Sequence, residues 1–173
     1  FDGLYAQLEE VNNHVVLFAA KGEPSVIFEM TNPVQQLCTD AEQYLRFQDV
    51  LSNIVQTLGE GYSLQKQDVF CKQSYHHEVP EDAEFLTRSY FRYFEGREFT
   101  EIRTFLILTQ EAQRSQFVQY DPKKWLDFHA KVNKVSDILS EKHIRHRMLS
   151  KEEVNEYCHR FMAFQFRHGP FSM

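Results

Sequence analysis

The sequence predicts an α+β domain: a mainly antiparallel sheet that begins with a β-hairpin, is covered by helices, and is followed by a C-terminal helical pair. Two β-rich runs joined by a turn that contains Gly and Pro predict the hairpin at 14–30. Helical apolar patterns then alternate with further strands over 39–109, and two helices with N-terminal capping residues follow.

The hairpin consists of HVVLFAA (14–20) and SVIFEM (25–30), and Gly22 and Pro24 supply the turn geometry between the two runs. Alternation of β-rich residues is typical of strands, and a turn of this length pairs them as neighbours. Residues 4–9 add a preceding strand.

The first helix follows the hairpin and ends before Gly59, a residue suited to the left-handed geometry found just past a helix. Thr39 and Glu42 have the spacing of a capping box at its start. Apolar residues recur through it at helical spacing, namely Tyr44, Phe47, Leu51, Ile54, Val55 and Leu58.

The segment 62–75, which contains LQKQDVFCKQSY, has β-propensity but an unusual alternation of side chains. This alternation predicts a strand with one partly wet face, or a strand near a sheet edge where charge discourages stray pairing. We interpret Cys71 as a packed residue, since nothing around it marks an activated thiol. The charged residues Lys66, Asp68 and Lys72 share a face with Leu64 and Phe70.

A second helix is introduced by Pro80 and Asp82, and the clearest strand of the chain is IRTFLILT at 102–109. That strand is apolar on both faces towards its end, which predicts a central position in the sheet. The helix carries its apolar side at Phe85, Leu86, Tyr90, Tyr93 and Phe94.

Two helices follow the central strand. Asp121 is the N-cap of the first, with Pro122 in its opening turn. Ser150 and Glu153 form a capping box at the start of the second. Both helices carry apolar residues at helical spacing, so we expect each to pack one face against the rest of the domain.

The length and composition are those of one globular domain with a real core: 173 residues, 42% hydrophobic and 25% charged, with 16 Phe. We divide it into a sheet domain, 1–120, and a helical extension packed on it, 121–173, which together form one structural domain. The chain starts at Phe1 without an initiator Met and stops soon after a Gly-Pro pair, which is typical of a piece excised from a longer protein. No apolar run approaches the roughly 18 residues of a transmembrane helix.

Charge, cysteines and motifs narrow the function classes. A net charge of −6 disfavours long-range attraction to nucleic acid, and three cysteines without CxxC spacing favour a reducing compartment. The sequence has no GxxxxGK[ST] loop and no catalytic constellation, so we expect no catalytic residue, cofactor or metal ligand in this chain. An independent small enzyme that uses Cys71, His76 and His77 stays open as an alternative.

Three segments, in order, resemble the N-terminal region of the TraG-family conjugative-transposon ATPases of Bacteroidetes-type elements, which are similar to the large type IV secretion ATPases. The segments are LQKQDVFCKQSY (64–75), FLTRSYFRYFEGREF (85–99) and TFLILT (104–109). The matching residues are Lys66, Gln67, Asp68 and Phe70 in the first, Phe85, Leu86, Arg88, Ser89, Phe91 and Phe94 in the second, and Thr104, Phe105, Leu106 and Leu108 in the third.

The resemblance implies a non-catalytic docking domain that couples an ATPase motor to inner-membrane conjugation-channel subunits or to itself, on the cytoplasmic side of that membrane. ATP and Mg would belong to a C-terminal motor domain of the full-length protein, because this chain lacks the Walker A motif. The implied partners are the channel subunits, the protein's own motor domain and further copies of the chain.

The alternative function is a nucleic-acid-binding module that contacts transferred single-stranded DNA through basic residues between 123 and 147. Aromatic residues there have core spacing, so the lysines fit the wet face of amphipathic helices, and nucleic acid is the less favoured partner. The basic residues are Lys123, Lys124, Lys131, Lys134, Lys142, Arg145 and Arg147.

For the docking function, exposed aromatic residues are the natural anchors, because they concentrate binding energy at interfaces. We place the candidate surface on the 14–30 hairpin and the 85–94 helix. Its candidate residues are Phe18, Phe28, Phe85, Tyr90, Phe91 and Phe94.

Overall fold

The computed structural model describes residues 5–11, 13–31, 41–80, 82–111 and 121–163, and these residues form six strands and four helices. The strands are β1 (Tyr5–Val11), β2 (His14–Ala19), β3 (Pro24–Met30), β4 (Tyr62–Ser74), β5 (Glu98–Gln110) and β6 (His146–Met148). The helices are α1 (Ala41–Leu58), α2 (Phe85–Phe94), α3 (Pro122–Glu141) and α4 (Lys151–Ala163).

The strands form one antiparallel sheet in the order β1-β2-β3-β5-β4, and β6 also pairs with β3. The predicted α+β fold, with its initial hairpin and its C-terminal helical pair, is therefore confirmed. β5 lies between β3 and β4, as predicted for the apolar strand 102–109. β4 lies at an edge of the sheet, so its mixed polar and apolar face has the place that its pattern predicted.

Helices cover both faces of the sheet. α1 and α3 pack on one face, in a cluster that contains Val26, Leu106 and Phe128. α4 packs on the other face, where Phe105 and Tyr157 lie in a second cluster, because alternate strand residues point to opposite sides. The two C-terminal helices thus belong to different layers. The α3 side chains share one core with the sheet, across the predicted division at 120/121.

Several predicted turns and caps are present. Gly22 and Gly59 have φ angles of 81° and 72°, the left-handed conformation that glycine adopts without strain. At the start of α4, the Glu153 amide donates to Ser150 Oγ at 3.3 Å and the Ser150 amide donates to Glu153 Oε2 at 2.9 Å. Thr39 lies outside the described residues, so its capping box stays a prediction.

The β4–β5 pair extends well past the end of β3. The two strands pair along 13 residues each, whereas β3 pairs only with the Thr104–Thr109 part of β5. The outer six pairs span roughly 20 Å and carry α2 at their end. We call residues 69–103 the arm, and Cys71 is the only buried residue among those the structure describes there.

Candidate interaction surface

An aromatic cluster attaches α2 to the end of the arm. Tyr75, just after β4, stacks on Phe91 with ring centroids 6.5 Å apart and meets Phe94 edge-on at 6.0 Å. His77 stacks on Phe91 at 4.5 Å. Two backbone hydrogen bonds between Tyr75 and the Gly96–Arg97 pair continue the strand ladder beneath the helix, so α2 is fixed to the arm by one face only.

The opposite face of α2 is largely open to solvent, and no other described strand or helix covers it. Its four large apolar side chains are Phe85, Leu86, Tyr90 and Tyr93, with exposed fractions of 80%, 76%, 58% and 59%. No residue of this ten-residue helix is buried. Single exposed apolar residues are common on protein surfaces, whereas a cluster of this size on one helix is a candidate interaction surface.

Charged groups on the arm lie near both ends of α2. Asp82 and Glu84 lie at its N-terminal end, and Arg92 and Arg97 lie at its C-terminal end. The Arg97 guanidinium sits 3.6 Å from the centroid of the Tyr93 ring, which holds this cation beside the apolar face. Arg88 near the first end and Glu95 at the second add the opposite charges, so both ends of the apolar face carry charges of both signs.

On the α1/α3 side of the sheet, the arm begins at two hydrogen bonds to the partly exposed carboxylate of Asp68. Thr104 Oγ1 donates to Asp68 Oδ1 at 2.6 Å, and Lys66 donates to the same carboxylate. Burial pushes the pKa of Asp68 upwards, but the hydrogen bonds from Lys66 and Thr104 outweigh burial and hold that pKa below its ordinary value. Asp68 is thus an ionised anchor at the root of the arm.

On the α4 side, an ion-pair network fixes the root of the arm to three other elements. Glu29 of β3 accepts hydrogen bonds from Arg103 of β5, at 2.6 Å from Nε, and from Arg147 of β6, at 2.5 Å. Arg147 also donates to Glu153 of α4 at 2.7 Å, and this bond holds the pKa of Glu153 below its ordinary value. The arm therefore projects from a rigid base.

A cavity of about 350 Å³ opens beside this network and is lined partly by Glu29, Arg103, Arg145 and Arg147. Two of its three arginines already pair with the carboxylate of Glu29. Because Arg103 and Arg147 are held by Glu29, and Arg147 also by Glu153, we assign the network a structural role.

The structure distributes the predicted surface aromatics among three environments. Phe85 is exposed and Tyr90 is more than half exposed, as a docking surface requires. Phe91 and Phe94 are half-buried in the cluster that holds α2 in place. Phe28 is 2% exposed, so its assignment to the surface is wrong: it lies on the face of β3 that α1 and α3 cover.

Phe18 also packs inward. Its ring stacks on that of Trp125 with centroids 5.7 Å apart, and it lies half-buried against the core cluster beneath α3. The 14–30 hairpin therefore contributes its aromatic side chains to the core. Sequence could not show this, because a β-rich hairpin has the same alternation whether a helix or a partner covers it.

The residues of the alternative enzyme hypothesis are engaged in packing contacts. Burial raises the pKa of the Cys71 thiol, and burial raises that of Cys158 to about 11, so both thiols are protonated near neutral pH. His76 Nδ1 lies 2.6 Å from Glu95 Oε1, and His77 stacks on Phe91. Across the described ranges, no three His, Cys, Asp or Glu side chains are placed to hold a metal ion.

The basic residues between 123 and 147 do not form one continuous cationic surface. Lys131 donates to the carbonyl of Thr57 at 2.6 Å, and Arg147 belongs to the ion-pair network. Lys142 lies 3.7 Å from the carboxylate of Glu141. Lys123, Lys124 and Lys134 are exposed on α3.

Sequence reasoning missed a buried pair of histidines. His14 of β2 and His129 of α3 stack with their Nδ1 atoms 2.6 Å apart, so one ring nitrogen donates a hydrogen bond and the other accepts it. Asn133 Oδ1 lies 3.0 Å from His14 Nε2, and the Trp125 ring meets His129 edge-on at 4.6 Å. The helical spacing of Trp125, Phe128 and Val132 was the one available signal that His129 faces the core.

Comparison with known proteins adds no family to this geometry. No protein-family model matches the sequence, and a search of curated proteins finds no match. Within the described segments, no helix combines the length and apolar character needed to cross a membrane. The structural features that bear on function are therefore those of the arm: an exposed helix and two strands with few buried residues.

Proposed function

We propose that this chain is a non-catalytic interaction domain whose arm docks onto a partner protein through α2. The observation that carries the proposal is the outer face of α2, where four large apolar side chains are 58% to 80% exposed. Burying a large apolar side chain contributes about 1.5–3 kcal/mol of favourable free energy. A partner that covers this face would therefore bind with a favourable contribution from each of the four side chains.

The small number of buried residues in the arm supports the same function. A two-stranded hairpin is marginally stable by itself, and the outer arm buries only Cys71 among its described residues. The core, by contrast, is closed by helices on both faces and needs no contact from α2. An element that adds little to the core and carries anchors outward is suited to docking.

The sequence resemblance supplies the biological setting of the proposal. The three segments that resemble TraG-family ATPases fall largely in β4, α2 and β5; the second, 85–99, lies wholly within the arm, whereas 104–109 lies in the part of β5 that pairs with β3. In this setting the domain couples a conjugative DNA-transfer ATPase to inner-membrane channel subunits or to itself, at the cytoplasmic side of the inner membrane. ATP and Mg would bind in the motor domain of the full-length protein.

Site-specific photo-crosslinking tests this function. We place p-benzoylphenylalanine at Phe85 and, as a matched control, at Leu126, which is 66% exposed on α3 and lies outside the arm. In cells that carry the whole transfer system, we expect the Phe85 position to crosslink to a channel subunit or to the protein itself, and Leu126 to give little product.

Equal crosslinking from both positions would contradict the proposal, because exposure alone would then explain the contacts. An absence of product at Phe85, with the protein folded and expressed, would also contradict it. Identification of the crosslinked chain by mass spectrometry separates a channel subunit from a second copy of the protein.

A further inference from the structure

The outer face of α2 has the geometry of a helix-pairing seam. Leu86, Tyr90 and Tyr93 follow one another at intervals of four and three residues, so they form one stripe along the helix. If two such helices pair antiparallel, Leu86 of one faces Tyr93 of the other, and the two Tyr90 rings meet near the middle. Ser89, a small residue beside Tyr90, leaves room for the backbones to approach.

The charges beside the seam are self-complementary in that same orientation. Asp82 precedes α2 and Arg97 follows it. In an antiparallel pair of helices, Asp82 of each copy therefore lies next to Arg97 of the other copy. The cation–π contact with Tyr93 holds Arg97 at the edge of the seam. The acidic residues near Arg97 already have partners: Glu95 Oε1 lies 2.6 Å from His76 Nδ1, and Glu98 Oε2 lies 3.4 Å from Lys72 Nζ.

The exposed area agrees with a weak but specific dimer. Taking about 200 Å² for each fully exposed large side chain, the exposed fractions of the three seam residues give about 390 Å² for each copy, and Phe85 beside the seam raises this to about 550 Å² when the second copy covers it too. Two copies then bury about 1,100 Å² together, which lies at the lower limit for specific interfaces. A membrane surface fits less well, since the net charge is −6 and Asp82 and Glu84 lie at one end of the seam.

From the seam, the charges and the area we infer that α2 docks onto α2 of a second copy of this chain, antiparallel across a two-fold axis. This inference rests on the proposed docking function and names its occupant. In the dimer, the stripe of each copy covers that of the other, and Asp82 of each copy pairs with Arg97 of its partner.

Sedimentation equilibrium of the 173-residue chain tests the inference. We expect a reversible monomer–dimer equilibrium within about 10–500 µM, the weak end for an interface of this area. Leu86→Glu should weaken association by about 10-fold or more, because it buries a charge in the seam. Leu126→Glu, an equally exposed site on α3, should leave association unchanged, and circular dichroism verifies that both variants fold.

A charge exchange tests the antiparallel register. Asp82→Arg alone and Arg97→Asp alone should each weaken self-association about 5-fold, since both symmetric contacts then join like charges. An equimolar mixture of these two variants should recover the wild-type affinity within about 2-fold, because both contacts in the mixed dimer are again complementary.

A wild-type chain that stays monomeric at about 500 µM would overturn the second-copy inference. Crosslinks from Phe85 to another subunit would then leave the docking function standing with a different occupant, whereas their absence would remove both. If dimers form but the charge-exchange mixture associates no better than the separate variants, the antiparallel arrangement is wrong. Loss of association in Leu126→Glu would place the interface on α3.

Discussion

Phe105 in the core and Phe85 in the arm show how differently one chain uses the same side chain. Phe105 is fully buried between the sheet and α4, whereas Phe85 is 80% exposed on α2. The core covers its apolar residues with its own helices, and the arm leaves a whole helix face open. Under the proposed docking function, stability and interaction belong to separate regions, so we expect substitutions to affect each one independently.

The largest contrast is expected from matched alanine substitutions. Phe105→Ala should lower the free energy of unfolding by about 3–5 kcal/mol, because it removes a buried ring and leaves a cavity. Phe85→Ala should change it by less than about 0.5 kcal/mol, since that ring touches solvent. Urea denaturation of the two variants checks this. Similar losses in both would show that the arm is part of the core.

Substitutions in ion pairs should show the same contrast between core and arm, with smaller changes in the free energy of unfolding. Glu29→Gln removes the carboxylate that pairs with Arg103 and Arg147, and we expect a loss of about 2–4 kcal/mol because Glu29 and Arg103 are largely shielded from solvent, although Arg147 is half exposed. Glu98→Gln removes an exposed pair with Lys72 at 3.4 Å, which should cost about 0–0.5 kcal/mol. Chemical denaturation measures both losses in the free energy of unfolding. Comparable losses would contradict the contrast between the shielded ion pairs at the base of the arm and the exposed pair within it.

Acid should act on the core through the buried histidine pair. Burial lowers the pKa of His129, and the neighbouring His14 lowers it further, so the unfolded chain binds a proton that the folded chain does not. The contribution of the neutral His129 to the free energy of unfolding is fully present above the ordinary histidine pKa of about 6.5. It is lost as the pH falls below that value. For one proton, the free energy of unfolding changes by at most about 1.4 kcal/mol for each pH unit.

His129→Phe should flatten this slope between about pH 6.5 and 5, because the substituted ring cannot titrate. His77→Phe is the matched control in the arm, where the histidine is exposed and stacks on Phe91. Denaturation curves across that pH range compare the two variants. An equal effect of both would contradict a special role for the buried pair.

Much of the fold could be predicted because its signals are local. The hairpin turn at Gly22, the Asp121 cap, whose side chain accepts from the Lys123 amide at 2.9 Å, and the reciprocal Ser150–Glu153 cap each depend on a few neighbouring residues. The central strand was predictable as well, since a run that is apolar on both faces is typical of a strand covered on both sides.

The candidate site could be predicted only in part, because exposure depends on distant packing. The patterns around Phe28 and Phe85 both indicate an apolar face, yet α1 and α3 cover the first and no described element covers the second. The length of the arm was also hidden: β5 begins at Glu98, in a polar stretch whose strand character comes from pairing with β4. His14 and His129 meet only through the tertiary fold.

The most direct test of the separation between core and arm is amide hydrogen exchange, measured on the protein alone and in its complex with the partner that crosslinking from Phe85 identifies. We predict that the amides of α2 exchange rapidly in the free protein and become strongly protected in the complex. The amides of β3, in the covered sheet, should be equally slow in both states. Unchanged exchange in α2, with protection gained elsewhere on the domain, would contradict the assignment of docking to the arm.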